Sequence, residues 1–260
     1  MKCLSPIAIR GHVSTFISEG RKFQFEHVYV PCGQCIACRL NYAKFWSIRM
    51  MQELRKHDAA CFATLTYDDE HLPDDHILHK EDLQNFWKRL RKERKVRYFC
   101  CGEYGDTFGR PHYHAIIYGI SPRETELVEK HWQQGRVKLG TVTEDSCNYV
   151  AKYMTKKLRG KALQQKLEED PEYQNEFVLM SRRPGIGGDL DADMVKFIKE
   201  NGFVYRKGFM SALPRYYKDK YDVETNLCEV QDFEEFQKHL QNLEKNDRLI
   251  RKGMEFFKWK

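Results

Sequence analysis

Residues 96–102, Val-Arg-Tyr-Phe-Cys-Cys-Gly, and residues 112–119, His-Tyr-His-Ala-Ile-Ile-Tyr-Gly, decide the fold of this 260-residue chain. Both stretches are rich in β-branched and aromatic side chains, which favour extended strands. Gly105, Gly109 and Pro111 lie between them and supply the residue types that tight turns need. The sequence therefore predicts a β-hairpin made of these two stretches.

Further strands and helices are predicted on both sides of the hairpin. Residues 60–67 have the pattern of a buried strand, and residues 81–94 have that of a helix with an apolar stripe. After the hairpin, a helix begins at Ser121 with a capping box and ends at Gly135, and a strand follows at 136–142. The order β-α-β-β-α-β is the split βαβ, or ferredoxin-like, pattern. We therefore expect an α+β fold in which an antiparallel sheet carries its helices mainly on one face.

The chain is predicted to have three parts. Residues 1–40 form a small cysteine-rich N-terminal segment, residues 41–215 form the main domain, and residues 216–260 form a charged, helical tail. Within the main domain, residues 184–188 are expected to be a flexible loop because they contain three glycines and a proline. Residues 203–211 are expected to add one more strand.

The charge of the chain is unevenly distributed. Its formal net charge is +6 and its isoelectric point is about 8.7, so the average composition says little about partners. Residues 88–97, however, contain seven basic residues and one acid. Such a patch suits phosphate groups, although a charge run of this kind is equally typical of a solvated helix face.

The sequence shows no pattern for export or for a membrane span. It has no run of 18 apolar residues and no charged-then-apolar N-terminus with a cleavage site. Its nine cysteines, an odd number, argue for reduced thiols in this setting. We expect no membrane partner and a cytoplasmic location, which can be the cytoplasm of a host.

Two histidines in the second strand of the hairpin form a candidate metal site. Residues two apart on a strand point the same way, so His112 and His114 project from one face. Two imidazoles at this spacing can bind one divalent ion and leave coordination positions open for substrate oxygens. We expect a carboxylate from the paired strand as third ligand and favour Glu103, with Glu70 and His71 as alternatives. For the two histidines alone, the simpler interpretation is an ordinary pair of strand side chains.

A predicted helix carries two tyrosines four residues apart. Residues 149–156 read Tyr-Val-Ala-Lys-Tyr-Met-Thr-Lys. On a helical wheel Tyr149 and Tyr153 fall opposite the apolar side, with Lys152 and Lys156 beside them. Phenols next to ammonium groups suit nucleophilic attack on an anionic substrate such as a phosphodiester. The simpler interpretation is a pair of partly exposed aromatic residues.

Four cysteines near the N-terminus form a second candidate metal site. Cys32, Cys35 and Cys38 follow one another at intervals of three, and Cys3 lies in the short segment before them. Four thiolates are the ligand count of a structural zinc site. Iron–sulfur ligation and unligated, reduced structural cysteines are the alternatives.

Taken together, these motifs resemble those of the HUH endonucleases, and more closely those of the replication initiator proteins of Microviridae of the gokushovirus type. The resemblance covers roughly residues 1–215, and its motifs come in the expected order. The matching stretches are residues 30–39 (Val-Pro-Cys-Gly-Gln-Cys-Ile-Ala-Cys-Arg), 62–68 (Phe-Ala-Thr-Leu-Thr-Tyr-Asp), 109–114 (Gly-Arg-Pro-His-Tyr-His), 149–153 (Tyr-Val-Ala-Lys-Tyr) and 181–187 (Ser-Arg-Arg-Pro-Gly-Ile-Gly).

The resemblance implies an activity. It implies metal-dependent nicking of the viral strand at the origin, a 5′-phosphotyrosine intermediate, rolling-circle synthesis, and later rejoining that releases circles. The DNA would be the viral origin, single-stranded or in the supercoiled replicative form. A host helicase and a host DNA polymerase would act with the protein in the host cytoplasm.

The resemblance also implies roles for the residues singled out above. His112 and His114, with Glu103, would hold a catalytic Mg²⁺ or Mn²⁺ ion, and Tyr149 and Tyr153 would be the nucleophiles. Lysines beside the tyrosines would assist them, namely Lys152 and Lys156. The expected contacts to DNA phosphates are Lys88, Arg89, Arg91, Lys92, Arg94, Lys95 and Arg110.

Two other functions remain compatible with the sequence. A plasmid replication initiator or relaxase would use the same chemistry. A non-catalytic, zinc-stabilised nucleic-acid-binding module would use the cysteines and the basic helix, while the tyrosines would only stack on bases. Only an enzyme requires Tyr149 or Tyr153 to become covalently attached to DNA.

Overall fold

A five-stranded antiparallel sheet carries the fold. The computed structural model describes residues 3–18, 21–105, 108–156 and 161–223. The strands are Ile7–Ser18 (β1), Arg21–Val30 (β2), Ala60–Thr66 (β3), Arg97–Tyr104 (β4), Pro111–Tyr118 (β5), Val137–Thr141 (β6), Phe177–Met180 (β7), Phe203–Arg206 (β8) and Phe209–Ala212 (β9). The helices are Ile36–Leu54 (α1), Lys80–Glu93 (α2), Thr125–Trp132 (α3), Glu144–Lys156 (α4), Lys161–Glu169 (α5), Ala192–Asn201 (α6) and Arg215–Tyr221 (α7).

The described residues belong to two compact units. One unit holds the described residues up to Tyr42, including the antiparallel pair β1–β2. The other begins at Ala43 and contains the five-stranded sheet and the short β8–β9 hairpin. The predicted three-part division of the chain stays a prediction. Most of the predicted helical tail, from residue 224 onward, lies outside the described residues.

The strand order β6-β3-β5-β4-β7 confirms the predicted α+β, split βαβ arrangement. Every neighbouring pair in this sheet is antiparallel, so β3 and β4 run parallel to each other on either side of β5. Helix α2 connects them. In the same way β5 and β6 flank β3, and α3 connects them. Two split βαβ units thus interlock, with the predicted hairpin β4–β5 at the centre of the sheet.

Both faces of the sheet are covered by helices. Tyr113, Ala115 and Ile117 of β5 are fully buried in one core with apolar residues of α2 and α3. Ile116 and Tyr118 point the other way, into a second core with apolar residues of α1 and α4. The prediction of helices mainly on one face therefore holds only for the two connecting helices. Because β5 is apolar on both faces, a single layer of helices would leave one set of side chains in water.

The polar region after α4 contains more structure than its sequence indicates. Strand β7 pairs with β4 and adds a fifth strand at that edge of the sheet. Residues 203–211, predicted as one strand, include a hairpin turn between β8 and β9 at Lys207 and Gly208, both with positive φ. The sequence analysis did not predict β7, because a strand of four residues carries too little periodicity to be recognised.

The loop at residues 184–188 is packed, so the prediction that it is flexible is wrong. Ile186 is fully buried, and its carbonyl oxygen accepts a hydrogen bond of 3.0 Å from Arg49 Nε. The N–H of Gly187 donates to Glu53 Oε2 at 2.7 Å, and Arg97 bonds both Glu53 and the carbonyl of Pro184. These partners lie more than 80 residues away in the sequence, so the composition of the loop could not reveal them.

No helix among the residues that the structure describes has the length and apolar character needed to cross a membrane.

Substitution of Gly187 by alanine should destabilise this packed loop. Gly187 has φ +57°, and a Cβ atom there would lie 2.2 Å from the carbonyl oxygen of Arg49. Gly202 is a matched control, because its φ is +69° but nothing lies within 4 Å of its Cβ position. We expect Gly202→Ala to cost about 1 kcal/mol through its left-handed backbone, and Gly187→Ala about 3 kcal/mol or more. Urea denaturation followed by circular dichroism measures both, and equal midpoints would show that the loop yields easily.

Candidate active site

The pairing of β4 with β5 brings the predicted metal ligands to one place. In this hairpin Glu103 lies opposite His112, and Cys101 lies opposite His114. Residues directly opposite each other on an antiparallel pair point to the same face. All three side chains therefore lie on the face of the sheet that α1 and α4 cover. The expected position of Glu103 across the hairpin is confirmed.

The three side chains meet at one carboxylate oxygen. Glu103 Oε1 lies 2.7 Å from His112 Nε2 and 2.8 Å from His114 Nε2. One ligand atom from each residue can be chosen so that all lie within 4.8 Å of one another. Glu103 and His114 are buried, and His112 is partly exposed, which leaves the cluster open on the His112 side. The alternatives Glu70 and His71 do not join this cluster, and His71 instead pairs with Asp68 at 2.7 Å.

The outer nitrogens of both imidazole rings are also held. His112 Nδ1 lies 3.1 Å from the carbonyl oxygen of Arg110, which can only accept, so this nitrogen carries the proton. In a neutral His112 ring, Nε2 then presents a lone pair to the carboxylate of Glu103. His114 Nδ1 lies 3.0 Å from Thr64 Oγ1 in the corresponding arrangement. Such outer contacts are those that orient histidines bound to metals in other proteins.

This donor set fits a divalent cation. Lone pairs from a carboxylate and two imidazoles converge on one point, and positive charge is required to hold them together. Glu103 Oε2 is buried and has no hydrogen-bond partner among the described residues, so one strong acceptor remains to be satisfied. Two histidines and one carboxylate are ligands that suit a divalent ion with open coordination positions.

The pKa shifts favour the forms of these residues that can act as ligands. Burial alone would raise the pKa of Glu103, but the hydrogen bonds and charges of His112 and His114 outweigh it and lower the pKa to about 2. Burial lowers the pKa of His114, against the opposing effect of Glu103. At neutral pH the carboxylate is therefore ionised and the His114 ring is neutral, which are the states that bind metals.

Helix α4 presents the first tyrosine to this cluster. Thr143 caps the helix as predicted, because its Oγ1 accepts a hydrogen bond of 3.1 Å from the N–H of Ser146. The Tyr149 hydroxyl donates to Glu103 Oε1 at 2.8 Å and lies 3.4 Å from His114 Nε2. The two motifs that are separate in the sequence, on β5 and on α4, therefore form a single site.

The second tyrosine lies behind the first. Tyr153 is only 2% exposed, and its hydroxyl donates to the Tyr149 hydroxyl at 3.2 Å. The prediction that both tyrosines lie opposite the apolar side of α4 is wrong for Tyr153. The buried arc of the helix is wider than the wheel indicates, because the sheet and α1 both pack against it.

Of the two lysines predicted to assist, the structure places one beside the phenols. Lys152 Nζ lies 3.8 Å from the ring centre of Tyr149 and 5.0 Å from that of Tyr153. At these distances a cation is attracted to the electron-rich ring face. The side chain of Lys156 lies outside the described residues.

Two residues of β3 that the sequence analysis did not single out complete the site. Phe62 stacks on the His114 ring, with ring centres 5.3 Å apart and planes 8° apart, and Thr64 contacts Nδ1 of the same ring. Thr64 pairs directly with His114, since β3 and β5 are antiparallel neighbours. The alternation of side chains in residues 60–67 could have indicated Phe62 and Thr64 once the pairing with β5 was assumed.

The basic residues predicted to contact DNA are mostly remote from this site. Helix α2 covers the opposite face of the sheet. Its basic end leads into Arg97 at the start of β4, whereas Glu103 is near the end of that strand, roughly 20 Å further along. Arg89 bonds the carbonyl oxygens of His131 and Trp132 and so supports α3. The remaining α2 residues are mainly exposed, and their contact with DNA stays a prediction: Lys88, Arg91, Lys92, Arg94 and Lys95.

Arg110 is the one predicted DNA contact that lies at the site. It bonds Asp69 Oδ1 at 2.8 Å and the carbonyl of Tyr67 at 3.0 Å. Its own carbonyl holds the His112 ring, as described above. Arg110 therefore lies next to the open side of the cluster, where its partly exposed guanidinium adds positive charge.

The four cysteines predicted as a second metal site also come together. Cys3, Cys32, Cys35 and Cys38 each contribute a sulfur within 4.8 Å of the others. All four are partly buried and none forms a disulfide.

Comparisons with known proteins agree with these motifs. Residues 60–158 match the model of a family described as replication-associated proteins of the ORF2 type. The chain is 33% identical over 217 residues to replication-associated protein VP4 of Bdellovibrio phage phiMH2K, which covers 74% of this chain and 67% of that protein. It is 27% identical over 238 residues to replication-associated protein ORF4 of Chlamydia phage 1, covering 80% of this chain and 57% of that protein.

A third relative is replication-associated protein ORF2 of Spiroplasma virus 4, with 29% identity over 204 residues, 61% of this chain and 62% of that protein. The chain thus spans 57% to 67% of the length of these relatives. No solved structure matches it. The matched family segment begins at β3 and ends just after α4, so it includes every residue of the histidine–glutamate–tyrosine site. The chain belongs to the family of replication-associated proteins of Microviridae-type phages, the family that its motifs resemble.

Proposed function

We propose that the chain nicks and rejoins single-stranded viral origin DNA and so initiates rolling-circle replication of a small phage. The observation that carries this proposal is the hydrogen bond of 2.8 Å between the Tyr149 hydroxyl and Glu103, the residue that also contacts both histidines. A nucleophile and a set of metal ligands share one oxygen atom. The names of the relatives support a role in DNA replication.

In the proposed first step, the Tyr149 oxygen bonds to phosphorus, and the bond from phosphorus to the 3′-oxygen breaks. The leaving oxygen keeps the electron pair and takes up a proton, so the products are a 5′-phosphotyrosine and a free 3′-hydroxyl. One phosphate ester replaces another, so rejoining needs no external energy source. A divalent cation held by Glu103, His112 and His114 would act as a Lewis acid on the scissile phosphate.

Ionisation of the phenol is the main barrier that the protein itself must address. A phenol has a pKa of about 10 and a carboxylate about 4, so Glu103 alone leaves Tyr149 protonated. Lys152 supplies a positive charge against the Tyr149 ring, and this charge favours the phenolate. The hydrogen bond to Glu103 Oε1 fixes the direction of the phenol oxygen, which limits the loss of entropy on reaching the reactive geometry.

The arrangement of the two tyrosines suggests a fixed order. Tyr149 contacts the cluster directly, whereas Tyr153 reaches it only through the Tyr149 hydroxyl. We propose that Tyr149 makes the first cut and that Tyr153 acts after Tyr149 has become attached to DNA. Host helicase and DNA polymerase would extend the free 3′-hydroxyl in the host cytoplasm, as the resemblance implies.

A non-catalytic nucleic-acid-binding module is the competing function. Stacking on bases requires accessible aromatic faces. Tyr153 is almost fully buried, and Tyr149 packs edge-on against Phe62 and His114. These contacts favour a nucleophile over a stacking platform.

Removal of a metal ligand should abolish cleavage but spare DNA binding. We expect His112→Ala to lower cleavage about 1,000-fold or more, because the charge on the scissile phosphate is no longer offset. Binding of single-stranded DNA should change little, since phosphate contacts dominate affinity. The probe is a set of labelled oligonucleotides that tile the genome from which the chain comes, with Mn²⁺ and with chelator. His71→Ala is the matched control and should cut normally; full cleavage by His112→Ala would remove the metal assignment.

The two tyrosines should be unequal in the first cut. We expect Tyr149→Phe to lose the covalent adduct, with cleavage lowered about 1,000-fold or more. Tyr153→Phe removes one hydrogen bond to Tyr149 and should slow the first cut by no more than about tenfold. A denaturing gel with mass spectrometry of tryptic peptides locates the adduct. An adduct on Tyr153 in the unaltered protein would reverse the proposed order, and an active double variant would exclude tyrosine chemistry.

Thr64 should tune the affinity for the cation by orienting His114. We expect Thr64→Val to weaken Mn²⁺ binding about 10- to 100-fold, as loss of such outer contacts does in other metal sites. Thr66→Val, two residues along the same strand, is the control, because Thr66 Oγ1 contacts the carbonyl of Arg136 and no imidazole. Titration of cleavage against Mn²⁺ concentration compares the two, and equal midpoints would count against the role of Thr64.

A further inference from the structure

The four-cysteine cluster lies where several segments of the N-terminal unit meet. Cys3 precedes β1, Cys32 follows β2, and Cys35 and Cys38 flank the first residues of α1. A single turn therefore carries the chain from the end of a hairpin to the start of a helix with sulfur atoms on both sides. The residue after Cys32 is Gly33, whose φ of +71° makes this tight turn accessible.

The distances between sulfur atoms are those of a tetrahedral site. Cys3 Sγ lies 3.5 Å from Cys32 Sγ and 3.8 Å from Cys35 Sγ. Four sulfurs placed about 2.3 Å from a central zinc ion at tetrahedral angles are about 3.8 Å apart. A disulfide would bring two sulfurs to about 2.0 Å and leave the other two unexplained.

Backbone N–H groups point at the sulfurs. The N–H of Cys32 donates to Cys3 Sγ at 3.3 Å, and that of Cys35 donates to Cys32 Sγ at 3.3 Å. The N–H of Leu4 donates to Cys35 Sγ at 3.4 Å. Donors of this kind stabilise thiolate rather than thiol, and the N-terminus of α1 adds its own partial positive charge.

We propose that Cys3, Cys32, Cys35 and Cys38 form a structural Zn²⁺ site. Four thiolate ligands satisfy the coordination of the ion completely, so the site has no open position for a substrate. A four-iron cluster is larger than a single ion and would hold its cysteine sulfurs farther apart than these are. This inference does not rest on the proposed nuclease activity, and its ligands belong to a different set of residues.

The zinc ion would close the base of the β1–β2 hairpin. This hairpin is a sheet of only two strands, and two-stranded sheets are marginally stable in water by themselves. The ligands lie before the first strand, after the second, and at the start of α1, so one ion fixes both ends of the hairpin to the helix. Small units with little core commonly gain their stability in this way.

The test is the metal content of the full chain, purified under reducing conditions and dialysed against added zinc and then against metal-free buffer. We expect mass spectrometry of the metals to find about one tightly bound zinc per chain. His112→Ala should retain this zinc, which separates the cysteine site from the proposed catalytic site. Cys35→Ser should lose it, whereas Cys61→Ala, at a buried cysteine of β3, should keep it.

A second measurement protects the test against variants that fail to fold. Titration of the unaltered protein with a mercurial should release the zinc as the four thiolates react, while a dye reports the free ion. Replacement by Co²⁺ should give the absorption bands of a tetrahedral site with four thiolate ligands. Iron in place of zinc, thiols that react without releasing metal, or zinc that persists in Cys35→Ser would each overturn the proposal.

Discussion

The antiparallel pairing of β4 with β5 is the constraint on which the candidate site depends. A shift of the register by one residue would turn Glu103 to the other face of the sheet and leave the two histidines without their carboxylate. The register is held by apolar side chains on both faces of β5, which are buried under different helices. Packing energy in the two cores thus maintains the geometry of three polar residues near the end of the hairpin.

The same packing explains why a nucleophile can reach this point. Helix α4 lies outside the two split βαβ units and covers the face that carries the histidines. Its apolar residues Cys147, Val150 and Ala151 are fully buried, which fixes its rotation about its own axis. Tyr149 then has little freedom except toward the cluster. A polar site is thereby built from an apolar contact, and its cost in entropy is met during folding.

Much of this arrangement could be predicted from the sequence, because it depends on short periodic patterns. Alternation placed His112 and His114 on one face, and the turn residues between the strands placed Glu103 across from them. The burial of Tyr153 could not be predicted in the same way, since it depends on two neighbours contacting α4 at once. Loop 184–188 shows the opposite error: its glycines indicate freedom, yet Glu53 and Arg49 fix it from a distant helix. Long-range partners are what a single sequence does not display.

Strand β7 has a consequence for the backbone of the site. The four interlocked strands alone would leave β4 at the edge of the sheet, with the amides beside Glu103 facing water. The pairs from Phe99–Met180 to Gly102–Phe177 move that edge outward to a strand of only four residues. Fraying should therefore begin at β7, and amide hydrogen exchange should be slower in β4. So short an edge is also a poor template for strand pairing between molecules, so the protein can be concentrated on DNA with less risk of aggregation through this sheet.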